Sequence, residues 1–194
     1  MLIILIGASG TGKTTIARAL MDAWSEARFL PSHTTRAPRP NDIDGEFTHL
    51  KREAFEHLRD AHAFLWTADF GTTSVGTREE DLKMALMDEN HPWLSVLIPS
   101  VIPLVYDYAK TLDRERAILP ILIESEADEV LMERMRMRGD SEEKIEERLR
   151  VTKKFDEEAH ALGIPLISIR NHGIIDEAVA QVLEVIQSQS RTVV

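Results

Sequence analysis

The residues Gly7-Ala8-Ser9-Gly10-Thr11-Gly12-Lys13-Thr14 fit the pattern G-x-x-x-x-G-K-[ST] and follow directly on the apolar run Leu2 to Ile6. In that order a buried strand passes the chain to a helix through a turn whose backbone N–H groups point inward. Glycine permits both the dihedrals and the close approach of a phosphate. The turn becomes an anion nest, and a helix starting at Lys13 sets its positive dipole end beneath the same phosphates. Lys13 adds a mobile charge and Thr14 a hydroxyl for Mg²⁺. Gly7, Ser9, Gly10, Thr11, Gly12, Lys13, Thr14 and Thr15 are therefore the expected contacts of a nucleoside triphosphate.

The elements that must position this loop read as an alternation of β and α. Strands are expected at Leu2 to Ile6, Arg28 to Leu30, Ala63 to Phe70, Trp93 to Ile98, Ala117 to Ile123 and Ile164 to Ile169. Helices are expected from Lys13 onward, over Lys51 to Asp60, Thr77 to Glu89, Ala127 to Arg138, Ser141 to Leu162 and Ile174 to Gln189. Gly139 closes one helix, and Ser141-Glu142-Glu143-Lys144 suits the capped start of the next. Ser32 to Gly45 is basic, proline-rich and turn-like, and the tail from Ser188 is expected to fray. Parallel strands need crossover helices, so the fold class is α/β: a doubly wound, mostly parallel sheet flanked by helices, with ligands at the carboxyl ends of the strands.

The chain has 194 residues, enough for one domain with small inserted parts. A formal charge of −10 argues against a nucleic-acid polymer as partner, because duplex affinity rests on clustered Lys and Arg. The sequence holds no apolar stretch of membrane-spanning length and no secretory signal, and without cysteine it has neither disulfides nor thiolate metal sites. No membrane is expected and the cytoplasm is the default compartment; oligomeric state is left open. His33, His49, His57, His62, His91, His160 and His172 show no zinc-binding spacing. His57 and His62 read as solvated, and His33 as a spacer beside two arginines. Met132, Met135 and Met137 with Leu131 read as helix packing, and Glu142 to Glu147 as a solvated face paired with Lys144 and Arg148.

Beyond the loop, Ser32-His33-Thr34-Thr35-Arg36-Ala37-Pro38-Arg39-Pro40, with Gly45 after it, resembles the nucleoside-monophosphate site of the guanylate kinase family, where a serine and two arginines hold the acceptor phosphate. The likeness continues through Phe64-Leu65, Gly76-Thr77, Arg134, Arg138-Gly139 and Arg148-Leu149 to Asn171. It implies a single P-loop domain over 1–194: a core of 1–31, 91–133 and 163–190, a small acceptor-binding insert at 32–90, and a helical lid at 134–150. It further implies ATP and Mg²⁺ at the loop, the donor base near Asn171, and Ser32, Arg36 and Arg39 on the acceptor phosphate. Lys13, Arg134, Arg138 and Arg148 would neutralise the migrating group. Guanidinium forks three residues apart suit bidentate phosphate contacts.

The sequence also departs from that family. A guanine-reading site there carries a tyrosine three residues after the glycine, a glutamate in the strand near Phe64, and a tyrosine before the glycine-serine pair. Here those positions are Thr48, Trp66 and Val75. Ser32 and Thr77 keep their hydroxyls, and a one-residue shift brings Thr67 or Asp69 toward the pocket. The strand from Trp93 ends without the usual aspartates, and Asp69 is the candidate substitute. The expected activity is transfer of the γ-phosphoryl group of ATP to a small monophosphate acceptor, GMP first. A ribose bisphosphate kinase and a non-catalytic binding module remain as alternatives.

Overall fold

The computed structural model describes residues 1–8, 11–40, 42–124, 127–137, 139–171 and 174–191, excluding the side chains of residues 134, 148, 156 and 189–191. In chain order the first elements are β1 (Leu2–Ile6), α1 (Lys13–Ala23), β2 (Arg28–Phe29), β3 (Ser32–Thr34), β4 (Phe47–His49), α2 (Arg52–Asp60), β5 (Phe64–Phe70) and β6 (Thr73–Arg78). There follow α3 (Glu79–Met87), β7 (Trp93–Val96), α4 (Ile102–Thr111), β8 (Ile118–Glu124), α5 (Asp128–Met137), α6 (Glu142–His160), β9 (Ile167–Arg170) and α7 (Ile175–Arg191). Among the described residues no helix is long and apolar enough to cross a membrane.

Five strands form a mostly parallel sheet in the order β2-β7-β1-β8-β9. All five side chains of β1 are buried, the signature of a strand covered on both faces. Its neighbours β7 and β8 both come later in the chain, which puts β1 at the topological switch point and its carboxyl end at the place where such sheets bind ligands. The expected α/β class is borne out.

The chain divides into two compact units. One comprises Leu5–Trp24, Val96–Ser100 and Pro120–Val194. Within it α1 packs on α7, burying Ile16, Ala17 and Leu20 on the first helix and Ala178, Val182 and Ile186 on the second. A separate apolar cluster of Leu131, Met135 and Ile145, with Met132 and Leu149 against it, holds α5 to α6. Met137, expected in that packing, is 75% exposed instead, because it lies off the face that meets α6. The capped start expected at Ser141 lacks a side-chain cap bond, and Glu142 pairs with Arg136 at 2.7 Å, outside its own helix. The last helix continues to Arg191, past the expected fraying point at Ser188.

The other unit comprises Met1–Ile4, Ser25–Ser95 and Val101–Leu119. It contains a second sheet in the order β4-β3-β6-β5, with β3 parallel to β4 and antiparallel to β6, and β5 antiparallel to β6. The expected alternation of β and α therefore fails between Ser32 and Arg78. Ser32 to Thr34 opens the turn-like stretch as a strand, and Thr77 still lies within β6 where a helix was expected to begin. The pairing explains the difference: Thr77 lies opposite Trp66, and the helix can start only at Glu79, whose N–H bonds Ala63 O at 3.0 Å. Helix α4 was not anticipated. Pro99 stops β7 at Val96 and opens a 3-10 turn, while Pro103 sits in the first turn of α4, where a missing N–H costs nothing.

Candidate active site

The glycine loop leaves β1 at Ile6. Thr11 folds back on Ala8, its N–H 3.4 Å and its hydroxyl 3.1 Å from the Ala8 carbonyl oxygen. Lys13 Nζ donates to the same oxygen at 2.6 Å. Gly12 adopts φ +94°, and its carbonyl accepts the Ile16 N–H at 2.9 Å, which starts α1. Glycine is required twice here for space. A Cβ on Gly7 would stand 2.7 Å from Ile123 O, and one on Gly12 would stand 2.4 Å from Asn171 Nδ2. The first turn of α1 carries no acidic residue, so nothing on that turn offsets the positive helix end, and Thr14 and Thr15 are exposed there. The first amides of a helix have no intrahelical acceptor. Lys13, those amides and two free-standing hydroxyls make a chemically coherent seat for phosphate. Ser9 and Gly10 lie outside the described residues.

Asn171, expected near a donor base, is buried and donates from Nδ2 to Thr11 O at 2.9 Å. It holds the glycine loop in place. The lid arginines are only partly described: Arg134 lies on α5 and Arg148 on α6, with side chains outside the described set, and Arg138 is outside it altogether.

Register sorts the second sheet into two faces. Because cross-strand partners share a face, Ser32, Thr34, Phe47, Trp66, Val75 and Thr77 stand on one side. His33, Thr48, Thr67, Asp69 and Ser74 stand on the other. Ser32, Trp66, Val75 and Thr77 are thus brought together, whereas Thr48 is on the opposite face from Ser32 and Phe47 takes its place. Neither Thr67 nor Asp69 shares the face of Thr77. Asp69 is exposed, and its Oδ1 accepts from Ser74 Oγ at 2.6 Å and Arg59 at 2.9 Å. The Ser74 hydroxyl, first, and Arg59 hold its carboxyl below the ordinary range.

The opposite face packs on helices. Phe64 stacks on Phe55 of α2 with ring centres 4.6 Å apart, and His33 meets Phe64 edge-on. His33 is buried, with Nδ1 3.7 Å from Asp81 Oδ2 of α3. Neither atom has a hydrogen-bond partner among the described residues. Burial, reinforced by Arg78, pushes the His33 imidazole down to about 4, and burial also raises Asp81. His33 is therefore a neutral core group, more than the spacer its position beside two arginines suggested. His57 and His62 are exposed, as expected.

Arg36 and Arg39 converge on Asp42, a residue that their spacing did not single out. Arg36 reaches its two carboxylate oxygens at 2.7 and 3.1 Å, and the Arg39 backbone N–H donates to Oδ2 at 2.8 Å. His49 Nδ1 lies 2.7 Å from the Arg36 carbonyl oxygen, as a donor there, while its Nε2 is 3.4 Å from Asp42. The Arg36 guanidinium also sits over the Phe47 ring, 4.5 Å from its centre. The Arg36 bonds, first, and the Arg39 N–H keep the Asp42 carboxyl low against some burial. The result is an arginine whose guanidinium is held by one carboxylate, by the Ala37 carbonyl oxygen at 2.9 Å and by one aromatic face. The one advance signal was Asp42 itself, three residues after Arg39 in a turn where Asp commonly bonds nearby backbone.

Residues 1–189 match the family described as Guanylate kinase. The chain is similar to a guanylate kinase of Trichormus variabilis, 33% identical over 186 residues that cover 95% of this chain and 87% of that one. It is also similar to a guanylate kinase of Nitratidesulfovibrio vulgaris, 32% identical over 186 residues, 95% and 86% of the two chains. In fold it resembles the crystal structure of guanylate kinase from Anaplasma phagocytophilum, with a TM-score of 0.64, 18% identity, and coverage of 97% of this chain and 85% of that one. On the family match and the full-length relatives together, this chain belongs to the guanylate kinase family.

Proposed function

We propose that this nucleotide kinase transfers the γ-phosphoryl group of ATP to a small monophosphate acceptor, with GMP the acceptor that the names of its relatives support. The observation that carries the reading is the intact glycine loop. Lys13 is poised on the loop, α1 has an undecorated positive end, and Gly7 and Gly12 are packed too closely for any side chain. Erosion of any of these would suit a binding module better than a kinase.

In this reading Gly7, Thr11, Gly12 and Thr15, with Ser9 and Gly10, line the triphosphate, and Lys13 moves from Ala8 O to a phosphate oxygen. Thr14 would hold Mg²⁺ through its hydroxyl, and the ion would supply positive charge beside the triphosphate. Ser32 and the forks of Arg36 and Arg39 take the acceptor phosphate. Arg134, Arg138 and Arg148 neutralise the charge that develops in transfer, the main work of a phosphoryl-transfer enzyme. An acceptor that is already an ionised phosphate asks no general base of the protein. The division into core, acceptor insert 32–90 and lid 134–150 belongs to the same reading.

One observation favours a sugar-phosphate acceptor as the second reading: the face that carries Ser32 and Thr77 has no carboxylate among its strand residues. ADP release measured with ATP and either GMP or ribose 1,5-bisphosphate separates the two. GMP turnover that falls about 10²–10³-fold in Lys13→Ala, with GMP affinity retained, supports the reading. Turnover confined to the sugar phosphate, or unaffected by Lys13→Ala, defeats it.

A further inference from the structure

Phe64 lies opposite Arg78, yet Trp66, two residues further on, lies opposite Thr77, one residue back. The bulge between them flips Trp66 from the face of Gly76 to the face of Thr77. Gly76 permits the close approach: a Cβ there would stand 2.6 Å from the Trp66 carbonyl oxygen and 3.1 Å from Phe64 Cδ1. The consequence is chemical. Trp66 Nε1 and Thr77 Oγ1, neighbours across the two strands, are both buried and have no hydrogen-bond partner among the described residues. Buried polar groups are seldom left unpaired, and the indole N–H can only donate. The one carboxylate in the four strands, Asp69, is on the other face and is held by Arg59 and Ser74.

Guanine presents an oxo acceptor at position 6 and an amino donor at position 2, hypoxanthine keeps the oxo group without that amino group, and adenine carries an amino donor at position 6. Resting on the phosphotransfer reading above, we infer that this face recognises the acceptor base through its oxo group, with Trp66 Nε1–H and Thr77 Oγ–H as donors. It does not read the 2-amino group. The two donors match an oxygen with two lone pairs. The Thr77 hydroxyl can also accept, but the indole N–H can only donate and so repels an amino group, and a donor at position 2 finds no carboxylate in these strands. The acceptors are 6-oxopurine monophosphates as a class, with GMP and IMP equivalent.

Calorimetric titration of the full chain with GMP, IMP and AMP, in the absence of ATP, tests this. GMP and IMP are expected to bind within fivefold of each other and AMP more than fivefold more weakly. Trp66→Phe, which keeps a ring and removes the donor, should lower the IMP-to-AMP preference at least threefold, and Trp66→Gln, which restores an N–H, should recover part of it. Thr77→Val serves as a second donor deletion should Trp66→Phe fail to fold. Binding of GMP more than fivefold tighter than IMP overturns the inference, as do AMP within fivefold of IMP, a preference unmoved by losing either donor, or binding of none of the three. ADP release from ATP is scored separately. Its absence alongside the expected binding pattern strikes the phosphotransfer reading and leaves the base preference standing.

Discussion

The side-chain amide of Asn171 donates to the carbonyl oxygen of Thr11 at 2.9 Å, joining two residues 160 positions apart. The bond ties the glycine loop to the chain just after β9, and both partners are buried. A buried hydrogen bond of this kind is worth about 0.5–1.5 kcal/mol. Asn171→Ala is therefore expected to weaken ATP binding about 2- to 12-fold while leaving GMP binding unchanged. Equal ATP affinity in the two proteins, measured by titration calorimetry, would show that the amide does not shape the loop.

Gly12→Ala meets two obstacles. Its φ of +94° disfavours any L side chain, by roughly 1–2 kcal/mol in left-handed backbone, and the new methyl would stand 2.4 Å from Asn171 Nδ2. Thermal melts should show a lower midpoint, and ATP binding should fall further than in Asn171→Ala. Because the two positions touch, the double variant should lose less than the sum of the single losses. Strict additivity in a double-mutant cycle would contradict the contact.

Arg36 combines a two-point bond to Asp42 with a ring contact to Phe47. Charge-assisted bonds are worth about 1.5–3 kcal/mol, so Arg36→Ala should weaken GMP binding about 10- to 150-fold and leave ATP binding nearly untouched. Arg36→Lys should recover only a small part, since an ammonium lacks the planar fork. A parallel loss of ATP and GMP affinity would refute the assignment.

His33 makes stability depend on pH. Its folded-state value of about 4 lies below the ordinary 6.5, so between those values the unfolded chain binds a proton that the folded chain refuses. Stability from this group is complete above pH 6.5 and is lost as pH falls toward 4, at about 1.4 kcal/mol for each pH unit in which only the unfolded imidazole is charged. Arg78 strengthens the refusal and Glu80 weakens it. Asp81 acts in the opposite sense, since its raised value means that the folded state takes up that proton earlier on acidification. Urea unfolding of His33→Gln should be flatter than wild type over this window; an identical slope would assign the acid sensitivity elsewhere.

Local pattern was enough to read the first strand, the glycine loop and the start of α1. Leu2 to Ile6 is buried on both faces, and Thr11 and Lys13 both bond the Ala8 carbonyl oxygen a few residues back in the chain. The long helices α5, α6 and α7 were legible for the same reason, their apolar spacing repeating over several turns. Strands β3 and β4, three residues each, are too short to show a period, and nothing in Ser32 to Thr34 distinguishes a strand from a turn until a partner lies alongside.

What the amino-acid order decided alone was the succession of strand, glycine loop and helix, the basic turn with Arg36 and Arg39, and the α/β class, all of which are legible from neighbours in the chain. Tertiary structure decided which face each side chain occupies. A single bulge moved Trp66 beside Thr77, register exchanged Thr48 for Phe47, and folding brought Asn171 to Thr11 and Asp81 to His33. In a sheet a shift of one residue reverses every side chain, and that shift is set by strands far apart in the chain.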